Sequence, residues 1–260
     1  MQDRRPIASP ARRMLGLATG LLLVTSLTAQ AMELPAPIEQ LKQQGLTIHG
    51  TFDAPGGLQG YAASLRGRAI AAYLTPDGDH AVIGTLIDAQ GQDVSAKPLE
   101  RLVNGPKNAR LWQQMAEHHW VRDGSADAKR VVYTLSDPNC PYCRKFWQEA
   151  RPWVENGDVQ LRHLMVGVLK ADSAAKAATL LSAEDPSTAI GEHYRDGTMP
   201  NNRISDESRR WVSENTRLMR NARLNATPVI FYRDADGVHR VMGAPGPEKL
   251  REIMGGPVGD

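Results

Sequence analysis

Val131-Val132-Tyr133-Thr134-Leu135-Ser136-Asp137-Pro138-Asn139-Cys140-Pro141-Tyr142-Cys143 is the stretch on which the reading of the fold turns. Its first five residues form a short continuous run of the kind found in buried strands. Ser136 to Asn139 read as a turn. Beyond it, Phe146, Trp147, Ala150, Trp153 and Val154 recur at helical spacing. Strand, turn and helix therefore meet at the cysteines, which are the only two in the chain. Cys140 is expected at the N-cap and Pro141 at the first helical position, where the missing N–H of proline costs nothing. The Cys140 sulfur then faces the free N–H groups of the first turn and the positive end of the helix dipole. Both favour thiolate over thiol, lowering the pKa from about 8.5 into the range of roughly 3.5–7.5. Cys143 falls one turn later on the same face, within reach of a disulfide. An exposed nucleophilic sulfur with a second one behind it is built to exchange disulfides.

Two other readings of the pair are weaker. A structural disulfide closing a four-residue loop would constrain little of the unfolded chain. A metal site needs at least two further ligands. His118, His119 and His163 are the candidates, but no second cysteine pair or regular histidine spacing accompanies them. No metal and no cofactor are expected.

Downstream of the motif, a second strand is predicted over residues 159–169, with helices over 174–181, 187–195 and 206–222. A third strand begins at Thr227-Pro228, a turn at Asp234–Gly237 leads into a strand over 238–242, and a helix spans 248–254. Pro152 is expected to kink the helix that carries it. Upstream, Pro35-Ala36-Pro37 opens a short helix stopped by Gly45. Strands are predicted over 46–52, 58–65, 69–74 and 81–87, an antiparallel meander of about sixty residues. So small a unit buries little core and leaves strand edges open, and a second copy of itself is the simplest partner. Residues 97–119 turn helical, interrupted at Gly105-Pro106, and Asp123-Gly124-Ser125 marks the next boundary. The division expected is a signal peptide at 1–31, an N-terminal dimerisation domain at 32–95, a helical linker at 96–123 and a catalytic domain at 124–260.

Residues 1–31 carry Arg4, Arg5, Arg12 and Arg13 against Asp3, then an uncharged apolar run from Met14 to Leu27. Ala29-Gln30-Ala31 offers small residues where a signal peptidase reads, so cleavage is expected after Ala31 and export to the periplasm follows. An uncleaved anchor is opposed by Thr25, Ser26 and Gln30. The whole chain has 31 basic and 29 acidic residues. Without the leader the balance is 27 to 28, so a near-neutral body gives no electrostatic case for a nucleic-acid partner.

The segment Asp137–Cys143, followed by Phe146-Trp147-Gln148-Glu149-Ala150-Arg151-Pro152-Trp153-Val154 and by Val166-Gly167-Val168-Leu169-Lys170, resembles the redox motif of the periplasmic DsbC/DsbG family. The likeness is dense over residues 112–255 and rests on order and length over 32–95. It implies an α+β chain: an N-terminal cystatin-like dimerisation domain, a helical linker, and a C-terminal thioredoxin-like domain with inserted helices. It implies a homodimer, with Thr227-Pro228 as the cis-proline loop that contacts the Cys140 sulfur and an extended substrate. Cys140 and Cys143 would form the redox-active disulfide, with Pro141 and Tyr142 as the motif dipeptide between them. Partners would be exported proteins with wrong disulfides or oxidised cysteines, and a DsbD-like inner-membrane reductase. The implied activity is a protein thiol:disulfide oxidoreductase or isomerase, with reduction of sulfenic acids and chaperone activity as companions. A DsbA-like thiol oxidase and a holdase chaperone with secondary redox activity are the competing functions. Two departures matter. The structural cysteine pair of the DsbC branch is missing, and Val131–Leu135 lacks the buried acid that thioredoxin carries, so no acceptor for the Cys143 proton is named.

Overall fold

Helix α1 (Ala36–Gln43) is followed by strands β1 (Leu46–Asp53), β2 (Gln59–Leu65), β3 (Arg68–Leu74) and β4 (Ala81–Ile83), which pair antiparallel in the order β1-β2-β3-β4. This computed structural model describes residues 34–259; the leader and its predicted cleavage point lie outside them. The meander is as expected except at its end, where β4 stops after three residues. Phe52, Ala62, Ala71 and Tyr73 pack on Val103 from the helical run that follows. Gly60 lets β2 run under the Phe52 ring, since a Cβ there would lie 2.4 Å from the ring.

The helical run does not break at Gly105-Pro106. Helix α2 (Ala96–Leu99) passes through a π-helical stretch at Glu100–Asn104 into α3 (Gly105–Glu117). The Gly105 N–H reaches back five residues to the Glu100 carbonyl. A proline at 106 removes one i→i−4 bond and crowds the carbonyl four residues before it, and widening the turn relieves both.

The second sheet contains β5 (Val121–Asp123), β6 (Arg130–Ser136), β7 (Val159–Met165), β8 (Val229–Asp234) and β9 (Gly237–Met242), in the order β5-β7-β6-β8-β9. β6 and β7 are parallel, joined across α4 (Pro141–Glu155); the other pairs are antiparallel. β5 was not expected, because three residues carry no readable period. It adds a strand to this sheet within the span assigned to the linker. β7 ends four residues earlier than predicted, and α4 runs through Pro152 to Glu155. The chain is completed by α5 (Ser173–Leu181), α6 (Pro186–Asp196), α7 (Asp206–Asn221) and α8 (Pro247–Met254).

Residues alternate across the central strands. Val132, Leu161, Ile230 and Tyr232 meet α4 and α8 on one face. Tyr133, Leu135, Leu164 and Phe231 meet α3 and α7 on the other. The helices α5 and α6, between β7 and α7, pack on the cysteine end of α4. The described residues from Pro35 onward form one compact unit, and no helix among the described residues is long and apolar enough to cross a membrane.

Candidate active site

Cys140 occupies the N-cap of α4 with extended backbone (φ −87°, ψ 111°), and Pro141 is the first helical residue. The Cys143 N–H donates to Cys140 Sγ at 3.1 Å. Cys140 Sγ–H in turn donates to the Thr227 carbonyl at 3.2 Å, and the Thr227–Pro228 peptide bond is cis. Strand β6, helix α4 and the loop before β8 thus bring Cys140, Cys143, Thr227 and Pro228 together, although 88 positions separate Cys140 from Pro228 in the chain. Pro141 starts the helix, and Tyr142 is 61% exposed beside the sulfurs. Both thiols are free and both are buried; the exposed sulfur expected at Cys140 is instead 3% exposed, because the Thr227 carbonyl of the loop before β8 sits against it.

The sulfurs differ in environment. Hydrogen bonding from the Cys143 thiol holds Cys140 down to about 6, against the opposing effect of burial. The Thr227 side chain and the backbone N–H groups of Cys143 and Tyr142 add to the lowering. Burial, reinforced by Cys140 itself, pushes Cys143 far above an ordinary thiol. The Thr227 hydroxyl has no hydrogen-bond partner in the dithiol form, so it is free to donate when charge develops on sulfur.

The pH dependence follows directly. Only the thiolate alkylates, so the rate of iodoacetamide labelling at Cys140 should titrate with a midpoint near pH 6. The folded pKa lies below the unfolded value of about 8.5. The reduced form therefore gains stability as pH rises from 6 toward 8.5 and loses it as pH falls through 6. A labelling midpoint at an ordinary thiol value would remove the N-cap account.

The sequence marks residues 136–139 as a turn at the head of the motif and gives Asp137 no role, and this is where it missed most. Asp137 is fully buried. Its carboxylate accepts hydrogen bonds from the backbone N–H groups of Asn139 (2.9 Å), Val168 (2.8 Å) and Leu169 (3.0 Å) and from the Ser173 hydroxyl (2.8 Å). One side chain thus ties the approach to α4 to the loop after β7 and the start of α5. Gly167 in that loop is needed for contact, because a Cβ would lie 2.5 Å from the Ala174 backbone. The only sequence cue was an aspartate three residues ahead of an N-cap.

Behind the dithiol lies a second polar group. Asp123 on β5 accepts from Trp147 Nε1 (2.9 Å), from Arg151 Nη1 (2.9 Å) and Nη2 (2.6 Å), and from His163 Nε2 (3.2 Å). Burial alone would raise this carboxyl. The hydrogen bonds from His163 and Arg151 outweigh it and hold Asp123 below the usual carboxylate range. His163, offered above as a ligand candidate, is thereby a partner of Asp123. His119 stacks on Trp211 at a centroid distance of 3.5 Å. Thr134 stands in the strand where thioredoxin carries its acid, and it hydrogen-bonds Ser136 at 3.0 Å.

A thioredoxin-like domain family matches residues 122–255. The thiol:disulfide interchange protein DsbG of Pseudomonas aeruginosa is 48% identical over 250 residues, covering 94% of this chain and 98% of that protein. The DsbG of Escherichia coli is 40% identical over 241 residues, covering 90% of this chain and 97% of its own length. Among solved structures, a disulfide interchange protein from Neisseria gonorrhoeae superposes with a TM-score of 0.45 at 27% identity, covering 52% of this chain and 92% of that one.

Proposed function

Since this chain belongs to the DsbG family of thioredoxin-like thiol:disulfide interchange proteins, we propose that it serves as a periplasmic isomerase and reductase of disulfides in exported proteins. The observation that carries this reading is the asymmetry of the dithiol. One sulfur ionises near pH 6 at a helix N-cap, and the other is kept protonated one turn inside.

The Cys140 thiolate attacks one sulfur of a substrate disulfide. A Cys140–substrate disulfide forms, and the other substrate sulfur leaves as thiolate and takes up a proton. In isomerisation a second substrate thiolate attacks the mixed disulfide, which returns Cys140 as thiolate with no net transfer of electrons. In reduction Cys143 loses its proton, attacks Cys140 Sγ and expels the substrate thiolate. The substrate has then gained two electrons and the protein holds the Cys140–Cys143 disulfide. A sulfenic acid on a substrate follows the same first step: the Cys140–substrate disulfide forms, the S–O bond breaks, and the departing hydroxide takes a proton from solvent and leaves as water. The sulfurs carry both electrons, so the exchange requires no cofactor or metal. A thiolate stabilised in the reduced form makes the disulfide easier to reduce, which suits regeneration by a DsbD-like dithiol of the inner membrane.

Substrate recognition is assigned to the rim of the site. Tyr142, Leu169 and Met242 are exposed apolar residues on three elements beside the dithiol. Leu169 lies in the loop held by Asp137, which accepts its N–H, and Met242 pairs with Val229 next to Pro228. Thr227 and Pro228 are the positions for an extended segment to pair with backbone. Exposed apolar contacts suit unfolded or misfolded chains, and the same contacts would support chaperone activity.

The domain division at 95/96 and 123/124, the cystatin-like character of the first sheet and the homodimer belong to the same proposal. Support comes from β4, an open edge carrying Val82 (58% exposed) and Ile83 (41%), with Ile87 (63%) just beyond. Aliphatic side chains on an unpaired edge favour strand pairing with a second copy. A single-subunit sedimentation mass for the mature chain would exclude it.

The deciding experiment is the redox state of the Cys140–Cys143 pair in cells, trapped by acid quench and thiol-specific alkylation. A mostly reduced pair is expected. A mostly oxidised pair would mean a DsbA-like oxidase. Aggregation protection fully retained when both cysteines are serine, with no redox phenotype, would mean a holdase.

A further inference from the structure

Six cations converge on one cavity of about 720 Å³ whose lining includes no residue of the dithiol site: Arg66, Arg68, Lys107, Arg110, Arg223 and Arg240. They come from the β2–β3 turn and the first residue of β3, from α3, from the segment just after α7 and from β9. No Asp or Glu lines the cavity; its other polar side chains are Asn104, Asn108, Gln114 and Asn221. Among the described residues none of the six forms an ion pair. Like charges at close quarters cost free energy unless an anion offsets them. Lys107 registers that cost: burial pushes its ammonium down, and Arg240 and Arg110 push it further. Burial pushes the Arg240 guanidinium down, and the single nearby acid, Glu100, offsets this only in part; its carboxylate accepts from the lining amides Asn104 (2.9 Å) and Asn108 (3.4 Å) and lies 3.7 Å from His239.

The backbone gives a second, independent observation. Arg66 (φ 49°) and Arg223 (φ 56°) are the only non-glycine residues in the left-handed region among the described residues, and both line this cavity. Arg66 is the first residue of the two-residue turn between Leu65 and Arg68, where asparagine or glycine relieves the strain. Arg223 follows the C-cap of α7, the position that favours glycine. Two strained positions are thus occupied by arginine where smaller residues fit better, and strain of this kind gathers at functional sites. The strained residues also touch, Arg223 Nη1 donating to the Arg66 carbonyl at 2.7 Å, while Lys107 Nζ donates to the Gly67 carbonyl at 2.9 Å.

We propose that this cavity is an anion site for compact ligands bearing clustered phosphoryl groups. Five of its six cations are arginines, whose planar forks match phosphate oxygens in pairs. The volume suits a ligand larger than a single phosphate. Such chemistry is offered by soluble polyphosphate and by phosphorylated lipid headgroups.

The test is calorimetric titration of the full mature chain with tripolyphosphate, ionic strength held constant with NaCl. Saturable binding is expected, weakened about tenfold or more in Arg68→Gln/Arg110→Gln. Lys42→Gln/Lys249→Gln, an equal charge change on other surfaces, should stay within about twofold. A second variant, Arg66→Asn/Arg223→Gly, relieves the backbone. It should bind more weakly while its melting temperature holds or rises, which separates lost binding from lost folding. Co-sedimentation with phosphatidylcholine vesicles containing phosphatidic acid, abolished in Arg68→Gln/Arg110→Gln, would assign a headgroup; tripolyphosphate binding alone would assign a soluble ligand. No saturable binding to either, or equal weakening in the Lys42/Lys249 control, overturns the proposal.

Discussion

Replacing Cys140 with serine should abolish disulfide reduction, while replacing Cys143 with serine, which keeps an O–H donor beside Cys140, should allow the first attack and strand the protein on its substrate. The two outcomes differ because the two sulfurs do. Cys140 ionises at about 6, so at neutral pH it is mostly thiolate. A serine hydroxyl at the same N-cap is not ionised, and the loss in rate should be on the order of a thousandfold or more. Cys143 lies one turn inside the helix and stays protonated, because burial disfavours its charge. Its part begins only when the mixed disulfide has formed. With Cys143→Ser and a substrate that has no free thiol, the Cys140–substrate adduct should accumulate and should be released by dithiothreitol. Mass spectrometry of the quenched reaction reads this directly. Full turnover by Cys143→Ser on such a substrate, with no adduct, would mean that Cys143 is not the resolving thiol. The companion variant Cys143→Ala should also raise the Cys140 labelling midpoint, because the largest cause of its depression is hydrogen bonding from the Cys143 thiol.

The second large effect is expected at Asp137, which touches no substrate in the proposed mechanism. Asp137→Ala leaves three part-buried backbone N–H groups and the buried Ser173 hydroxyl without their acceptor. Each unsatisfied donor costs roughly 1–3 kcal/mol, and partial access of water to the loop brings the sum to about 3–5 kcal/mol. The urea midpoint should fall accordingly. The Asn139 and Leu169 segments should loosen with it, so labelling of Cys140 should lose part of its acid-shifted profile in molecules that remain folded. Asp137→Asn keeps the shape and one acceptor oxygen, and its loss should be smaller. An Asp137→Ala protein with unchanged stability and an unchanged labelling profile would show that the loop is held by other contacts.

Much of this protein was legible as sequence because the relevant signals are local. The spacing of Phe146, Trp147, Ala150, Trp153 and Val154 determined which face of α4 is buried, and all five are buried. Cys140 and Pro141 at adjacent positions determined where that helix begins, through cap chemistry that needs only neighbouring residues. Strand-like runs punctuated by Gly45 and by the turn at Pro76–Gly78 were enough to set out the N-terminal meander. The expected break at Gly105-Pro106 became a π-helical turn instead, because packing of Val103 against the first sheet favours a continuous helix.

Only the tertiary structure decided which distant residues share a site. Val121–Asp123 is too short to show a period, and it becomes a strand only because β7 offers it an edge. Asp123 then meets Arg151 and His163 across 28 and 40 positions. Asp137 reaches Val168 and Ser173, and the six cations of the anion cavity come from four separate elements. A buried carboxylate or a cluster of unpaired cations leaves no period and no spacing in the chain. Its energetics depend on desolvation and on partners that folding alone assembles.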